Sequence, residues 1–134
     1  MKKVITFGTF DVFHVGHINI LERAAKYGDY LVVGVSSDKL NYSKKKRYPI
    51  YSQADRIKII ESLKFVDEVF LEESLELKLD YIRQHQASVL VMGDDWLGRF
   101  DWVKEACEVI YLPRTPSIST TEIIEVVRSG IKDV

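Results

Sequence analysis

The sequence predicts one α/β domain built around an open, parallel sheet of five strands. Three observations support this fold class: five short apolar runs, helical patterns between successive runs, and a length that suffices for one hydrophobic core. The chain has 134 residues, of which 46% are hydrophobic. We therefore expect a single domain over residues 1–134.

Each of the five strands is predicted from a short run that is rich in apolar and β-branched residues. The runs are continuously apolar rather than alternating, as expected for a parallel sheet that is covered on both faces. The predicted strands are residues 4–7, 30–36, 68–71, 88–93 and 108–112.

Four helices are predicted from apolar residues at helical spacing; they are residues 17–28, 52–65, 74–86 and 119–129. Gly28 is expected to end the first helix, and Ser52 is expected to cap the second. The least patterned segment, residues 39–51, is predicted to be a mobile loop over the sheet edge. Strands that alternate with helices imply right-handed crossovers and helices on both faces, a Rossmann-like arrangement.

The composition excludes several classes of function. The net charge of −1 provides no bulk positive field, so we expect no nucleic-acid partner and only local affinity for phosphates. No apolar run approaches the roughly 20 residues needed to cross a bilayer, and no signal peptide is recognised. We therefore expect a cytoplasmic protein without a membrane partner. Cys107 is the only cysteine, which excludes an intrachain disulfide and a two-cysteine zinc site; we expect it to be buried and structural.

Polar segments follow four of the predicted strands. Because open parallel sheets bind ligands beyond the carboxyl ends of their strands, these segments predict an active site at that edge. The segments are residues 8–17, 38–46, 93–96 and 114–121.

The segment GTFDVFHVGH follows the first strand and carries two of the three histidines. Gly8 would allow a close approach of the chain, and Gly16 would allow a sharp turn into a helix that begins near His17. A helix N-terminus is a ready anion site, and the imidazoles of His14 and His17 would suit a polyphosphate.

Two other interpretations of this segment remain open. The histidines could be ordinary loop and cap residues, or Asp11, His14 and His17 could form a zinc site, although no fourth ligand is evident. Asp11 could also orient a metal or the histidines, or stabilise a turn. The segment matches neither the P-loop nor the dinucleotide-binding glycine pattern.

The string G-T-F-D-x-x-H-x-G-H resembles the HxGH signature of the nucleotidylyltransferase superfamily, and RTPSISTT at 114–121 resembles the family's R-T-x-x-I-S-T-T element. The resemblance implies that His14, His17, Lys44 and Arg114 are catalytic, the histidines holding the triphosphate and stabilising the departing pyrophosphate. The nucleotide-binding residues it implies are Gly8, Thr9, Phe10, Asp11, His14, Gly16, His17, Lys44, Asp95, Trp96, Arg114, Thr115, Ile118, Ser119, Thr120 and Thr121.

Within the superfamily, the chain is similar nearly end to end to small bacterial cytidylyltransferases that use sn-glycerol 3-phosphate as the acceptor, with VMGDDW as the most telling stretch. This implies CTP as the nucleotide, with cytosine recognised by backbone around Asp95 and Trp96. It also implies Mg²⁺ bound mainly through the triphosphate, a homodimer, and a place in teichoic-acid or other surface-polymer synthesis. Ethanolamine phosphate, a sugar phosphate, or FMN with ATP remain alternative substrates, and a regulatory nucleotide-binding module remains an alternative class.

The resemblance implies that Lys46, Arg56, Lys64 and Lys78 bind the acceptor, with Lys44 turned towards CTP. All of these except Lys64 could instead be solvated surface residues, since lysine runs and charged helix faces usually are. Two departures weaken the acceptor assignment. L-K-F-V-D-E-V stands where the subfamily commonly has I-R-Y-V-D-E-V, and RYPIYSQADR is about one residue longer than usual.

Overall fold

Five parallel strands form a single sheet in this computed structural model, which describes residues 1–114 and 119–130. The strands are β1 (Lys3–Gly8), β2 (Tyr30–Ser36), β3 (Glu68–Glu72), β4 (Val89–Gly93) and β5 (Glu108–Leu112). Their order is β3-β2-β1-β4-β5, so the chain first builds outward from β1 and then returns to its other side. The predicted Rossmann-like, five-stranded parallel sheet is confirmed, and each strand lies within two residues of its predicted bounds.

The core lies on both faces of the sheet, which is why the strands are continuously apolar. On one face, Leu21 and Ile60 from the helices pack against alternate residues of β1, β2 and β4. On the other face, Ile82 and Phe100 pack against the intervening strand residues. Helices therefore cover both sides and leave the carboxyl ends of the strands open.

The helices are α1 (Val15–Ala25), α2 (Asp38–Lys45), α3 (Gln53–Glu61), α4 (Lys78–Gln84) and α5 (Thr120–Ser129). Ser52 caps α3 as predicted, because its side chain accepts a hydrogen bond from the Asp55 amide. The helix predicted at 74–86 begins as a 3₁₀ turn, Leu75–Leu77, before α4. In the described part of the chain, no helix is long and apolar enough to cross a membrane.

The prediction of a mobile loop at 39–51 is wrong for its first half, which forms most of α2. The Ser37 side chain caps this helix by accepting from the Leu40 amide at 3.0 Å. Only Leu40 and Asn41 of the helix are buried. The apolar stripe that would reveal a helix in the sequence is therefore absent.

Two glycine predictions are also corrected at the ends of α1. The helix begins at Val15, so Gly16 lies inside its first turn rather than before it. It ends at Ala25, and Lys26 in a right-handed conformation follows as the C-cap, so Gly28 does not end the helix. A Cβ atom on Gly28 would lie 2.5 Å from the Lys2 carbonyl oxygen. Gly28 is thus required by close approach of the backbone at the start of β1.

We predict that Gly28→Ala lowers the free energy of unfolding by about 1–3 kcal/mol, because the added methyl group meets a backbone carbonyl that cannot rotate away. Denaturant titration measures this change. Lys26→Ala, at an exposed position two residues earlier, is the control and should stay within about 0.5 kcal/mol of wild type. Equal stability of the two variants would contradict the prediction.

Candidate active site

A cleft of about 840 Å³ opens at the carboxyl ends of the strands. It brings together most of the predicted site residues, although they are far apart in the sequence. Those that line it are Gly8, Thr9, Phe10, Asp11, His14, Gly16, His17, Lys44, Lys78, Asp95, Trp96, Arg114, Ser119, Thr120 and Thr121. Thr115 and Ile118 lie outside the described residues, and Lys46, Arg56 and Lys64 do not line the cleft.

The two histidines of the HxGH segment are fixed by the start of α1. His14 is the N-cap residue, and its Nδ1 atom accepts a hydrogen bond from the Gly16 amide at 3.0 Å. In return, Nδ1 of His17 accepts from the His14 amide at 3.2 Å. Because Nδ1 accepts in both rings, the proton of each neutral imidazole lies on Nε2.

Both imidazoles are held in the neutral form. Burial lowers the pKa of His14 below its usual range. Burial, and then the nearby His14, lower the pKa of His17 to about 3. The rings stack with their centroids 3.8 Å apart, so protonation of both would place two positive charges in contact. At neutral pH the pair therefore presents two uncharged Nε2–H donors.

Asp11 is occupied as a structural acceptor, which favours the turn interpretation over an orienting role for a metal or the histidines. Its carboxylate accepts hydrogen bonds from the amides of Val12 at 3.0 Å, Ile50 at 2.7 Å and Tyr51 at 2.8 Å. The zinc alternative is not supported either, since the described ranges hold no group of three or more potential metal ligands. Asp11 instead ties the loop after β1 to the segment before α3.

The start of α5 is attached to the same loop. The Thr120 hydroxyl donates to the Asp11 carbonyl oxygen at 2.8 Å, and the Ser119 hydroxyl caps the helix by accepting from the Glu122 amide at 3.1 Å. Two helix N-termini, those of α1 and α5, therefore face one cleft. The aligned dipoles of these helices favour an anion between them. Arg114, exposed at the cleft, adds a permanent positive charge.

The cleft wall after β4 is formed by the GDDW turn. Asp95 and Trp96 lie in a 3₁₀ turn, and a Cβ atom on Gly93 would lie 2.6 Å from Asp95 Oδ1. The Trp96 ring has the Lys44 ammonium 5.8 Å from its centroid. Arg99 also lines this wall and was not predicted from the sequence, although it lies three residues after Trp96.

The prediction that Arg56 binds the acceptor is not supported by its geometry. The residue is 0% exposed, so the alternative of an exposed helix residue is wrong as well. Its guanidinium donates to the carbonyl oxygens of Tyr51, Thr9 and Ser36 and to the Asp38 carboxylate at 2.7–3.0 Å. Arg56 is therefore a buried scaffold residue that joins the loops around the cleft.

Two predicted acceptor lysines lie away from the cleft. Lys46 is exposed and follows α2 as its C-cap, with a left-handed backbone at φ of 60°. It does not line the cleft, whereas Lys45 and Arg47 do. Lys64 is exposed in the turn before β3, at the amino end of the strands. Within one chain, Lys64 therefore lies at the edge of the sheet opposite the cleft.

Lys78 lies in the cleft as predicted, but it is a buried residue rather than a surface lysine. It is 1% exposed, and its Nζ atom is 2.8 Å from Oε2 of Glu72, which is also 1% exposed. Glu72 was not predicted from the sequence. Its position directly after the predicted strand at residues 68–71 was the available signal, because the residue that ends this strand faces the cleft.

The comparisons place the chain in a family. Residues 5–126 match the family described as Cytidylyltransferase-like, and the chain belongs to it. The resemblance inferred from the sequence is thereby confirmed.

Several relatives are similar over most of their length. The chain is 54% identical over 125 residues to a glycerol-3-phosphate cytidylyltransferase of Bacillus subtilis (strain 168), covering 93% of this chain and 96% of the relative. It is 49% identical to a glycerol-3-phosphate cytidylyltransferase of Staphylococcus aureus (strain NCTC 8325 / PS 47), covering 92% of each. An FAD synthase of Thermococcus sibiricus (strain DSM 12597 / MM 739) is 34% identical, covering 92% of this chain and 90% of the relative.

A solved structure supports the fold. The lipopolysaccharide core biosynthesis protein from Thermoplasma volcanium GSS1 aligns with a TM-score of 0.74 and 24% identity, covering 86% of this chain and 98% of that one. At this identity the likeness concerns the fold alone.

We predict that Arg56→Lys lowers the free energy of unfolding by about 2–4 kcal/mol, because one ammonium group cannot replace the forked donors and leaves buried carbonyls unpaired. Denaturant titration provides the measurement. Arg83→Lys, at an arginine that is 62% exposed, is the matched control and should change stability by less than about 0.5 kcal/mol. A raised KM for the acceptor with unchanged stability would contradict the scaffold role.

Proposed function

We propose that this protein transfers CMP from CTP to sn-glycerol 3-phosphate, giving CDP-glycerol and pyrophosphate. The observation that carries the proposal is the 54% identity to a glycerol-3-phosphate cytidylyltransferase across 93% of this chain and 96% of the relative. The cleft is consistent with it, because it combines two helix N-termini, two neutral imidazole donors and several cations.

In the proposed reaction, a phosphate oxygen of the acceptor attacks the α-phosphorus of CTP in line with the departing pyrophosphate. A phosphate monoester is largely dianionic at neutral pH, so the attack needs no general base. Catalysis then depends on positioning and on stabilising charge in the transition state.

His14 and His17 are the proposed donors to the triphosphate and the departing pyrophosphate. Their Nε2–H groups are uncharged and fixed by the hydrogen bonds at Nδ1, so they can follow the developing negative charge without reorganising. Arg114 and the amides at the start of α5 would hold the same phosphates. Asp95 and Trp96 would contact the cytosine, and Lys44 would lie between the triphosphate and the acceptor.

Mg²⁺ is proposed as the metal of the reaction, held mainly by oxygens of the triphosphate. This fits the donor set of the cleft, where Asp11 is occupied by amides and Glu72 by Lys78, and where Asp95 is exposed. When bound, Mg²⁺ would neutralise part of the triphosphate charge, since hard oxygen ligands suit it.

We also propose that the protein acts in the cytoplasm as a homodimer and that its product supplies teichoic-acid or other surface-polymer synthesis. The subfamily resemblance supports these proposals. Size-exclusion chromatography with light scattering tests the oligomeric state.

A panel of substrates tests the proposed reaction. We expect CTP with sn-glycerol 3-phosphate to give a kcat/KM at least about a hundredfold above any other pair, since binding sites built from polar groups reject poorly matched substrates strongly. The panel crosses the four nucleoside triphosphates with sn-glycerol 3-phosphate, ethanolamine phosphate, a sugar phosphate and FMN, and measures pyrophosphate release. Preference for ATP with FMN would replace the proposal with FAD synthesis. CTP binding without release of pyrophosphate would indicate a regulatory module.

We predict that His14→Ala and His17→Ala each lower kcat at least about a hundredfold, as expected when a preorganised donor to developing charge is removed. Steady-state kinetics at saturating CTP measure the effect, with circular dichroism to check folding. His85→Ala is the matched control, because His85 pairs with Glu68 outside the cleft and should leave kcat near wild type. A folded His14 or His17 variant with intact kcat would refute the role.

A further inference from the structure

A buried ion pair forms part of the cleft floor, and the proposed reaction assigns it no role. Glu72 ends β3, Lys78 begins α4, and both side chains are 1% exposed. Oε2 of Glu72 is 2.8 Å from Nζ of Lys78, while Oε1 accepts from the Ser36 hydroxyl at 3.3 Å. The carboxylate is therefore held from two sides.

Aromatic rings complete the surroundings of the lysine. The Lys78 Nζ atom lies 3.8 Å from the centroid of the Phe7 ring and 4.4 Å from that of Phe100. Ring faces attract a cation, but they replace little of the hydration that the ammonium group loses on burial. Glu72 is thus the charged partner that makes a buried ammonium group tolerable at this position.

Stability alone does not account for such a pair. The cost of removing two charges from water usually offsets their attraction, so a buried ion pair contributes little net stability. This pair lies at the cleft beside a second lysine, Lys44, which is half-buried. Two cations and one carboxylate at the β2–β3 side of the cleft leave a net positive charge, which suits a phosphate group.

The charges around both lysines are few and can be named. Burial lowers the pKa of Lys78, the Glu72 carboxylate raises it, and Lys44 lowers it. Burial also lowers the pKa of Lys44, which Glu72 raises and which Lys45 and Arg56 lower. Within residues 1–114 and 119–130, Glu72 is the one group that favours the charged form of both lysines.

We propose that Glu72 is a positioning residue for the phosphorylated acceptor: its carboxylate anchors the ammonium group of Lys78 at the cleft floor and holds it there for the acceptor phosphate. The proposal rests on the proposed function, because it takes the acceptor to be a phosphate monoester. Glu72 acts through Lys78 and does not touch the acceptor phosphate, which it would repel.

Glu72→Gln tests the proposal through a pH profile. Without the carboxylate, the buried Lys78 loses its proton at lower pH, so acceptor binding should fail as the pH rises. Between pH 6.5 and 9, we expect the KM for sn-glycerol 3-phosphate to rise at least about tenfold in Glu72→Gln and less than about threefold in wild type. The KM for CTP should change less than about threefold over the same range. An acceptor KM that is equally flat in both proteins would overturn the proposal.

Two further variants separate positioning from a structural role. Glu73→Gln makes the same substitution at the neighbouring, exposed residue and should keep the wild-type profile. Glu72→Gln/Lys78→Arg restores a permanently charged group and should flatten the profile again. A double variant whose acceptor KM still rises with pH would argue against charge on residue 78 as the cause.

Side-chain NMR of the free protein tests the contact without the acceptor. We expect the ε-carbon of Lys78 to titrate at least about one pH unit lower in Glu72→Gln than in wild type. If Glu72→Gln does not fold, Glu72→Asp withdraws the carboxylate by one methylene and should shift the titration in the same direction. An unshifted Lys78 would overturn the proposal. Wild-type protein that forms no CDP-glycerol, but shows the Lys78 shift, would refute the proposed function and leave the Glu72 contact standing.

Discussion

The arrangement of the cleft depends on the buried guanidinium of Arg56. It donates to carbonyl oxygens that follow β1 and end β2, at Thr9 and Ser36, and to the Asp38 carboxylate at the start of α2. A buried charge must be fully paired, so these bonds allow little freedom in how the loops are placed. Asp11 extends the network to the segment before α3 and, through its carbonyl oxygen, to α5. The starts of α1, which carries the histidines, and of α2, which carries Lys44, are therefore positioned by one connected set of hydrogen bonds.

The two sides of the cleft would bind negative charge in different ways: one has neutral hydrogen-bond donors and the other has lysine side chains. On the side of β1 and α5, neutral imidazoles and helix N-termini provide directional donors, which suit a triphosphate. On the side of β2 and β3, Lys44 and Lys78 provide ammonium groups, and the carboxylate of Glu72 pairs with that of Lys78. The first arrangement suits charge that develops during the reaction, and the second suits a dianion that is already present.

Strand positions were predictable because buried parallel strands are continuously apolar, and the site's location followed because parallel strands end at one edge. The burial of Arg56 was not predictable, since a charged residue on an otherwise amphipathic helix has the pattern of a surface residue. Likewise, the KKKR run does not show which cations line the cleft. That depends on α2, a helix without an apolar stripe, and on the left-handed turn at Lys46. Lys64 was predicted to bind the acceptor because it lies in the L-K-F-V-D-E-V motif. Membership of a motif does not show at which edge of the sheet a residue lies, and Lys64 lies at the amino ends of the strands.

By itself, the sequence determined the fold class, the family and the identity of the phosphate-binding motifs, because these depend on local apolar patterns and on residue types at short spacing. The tertiary structure decided which polar groups are paired within the protein and which of their atoms face the cleft. It turned Asp11 and Arg56 into scaffold residues, set the tautomer of His14 and His17, and paired Lys78 with Glu72. The physical reason is that burial makes every polar group find a partner, and those partners come from segments that are distant in the chain.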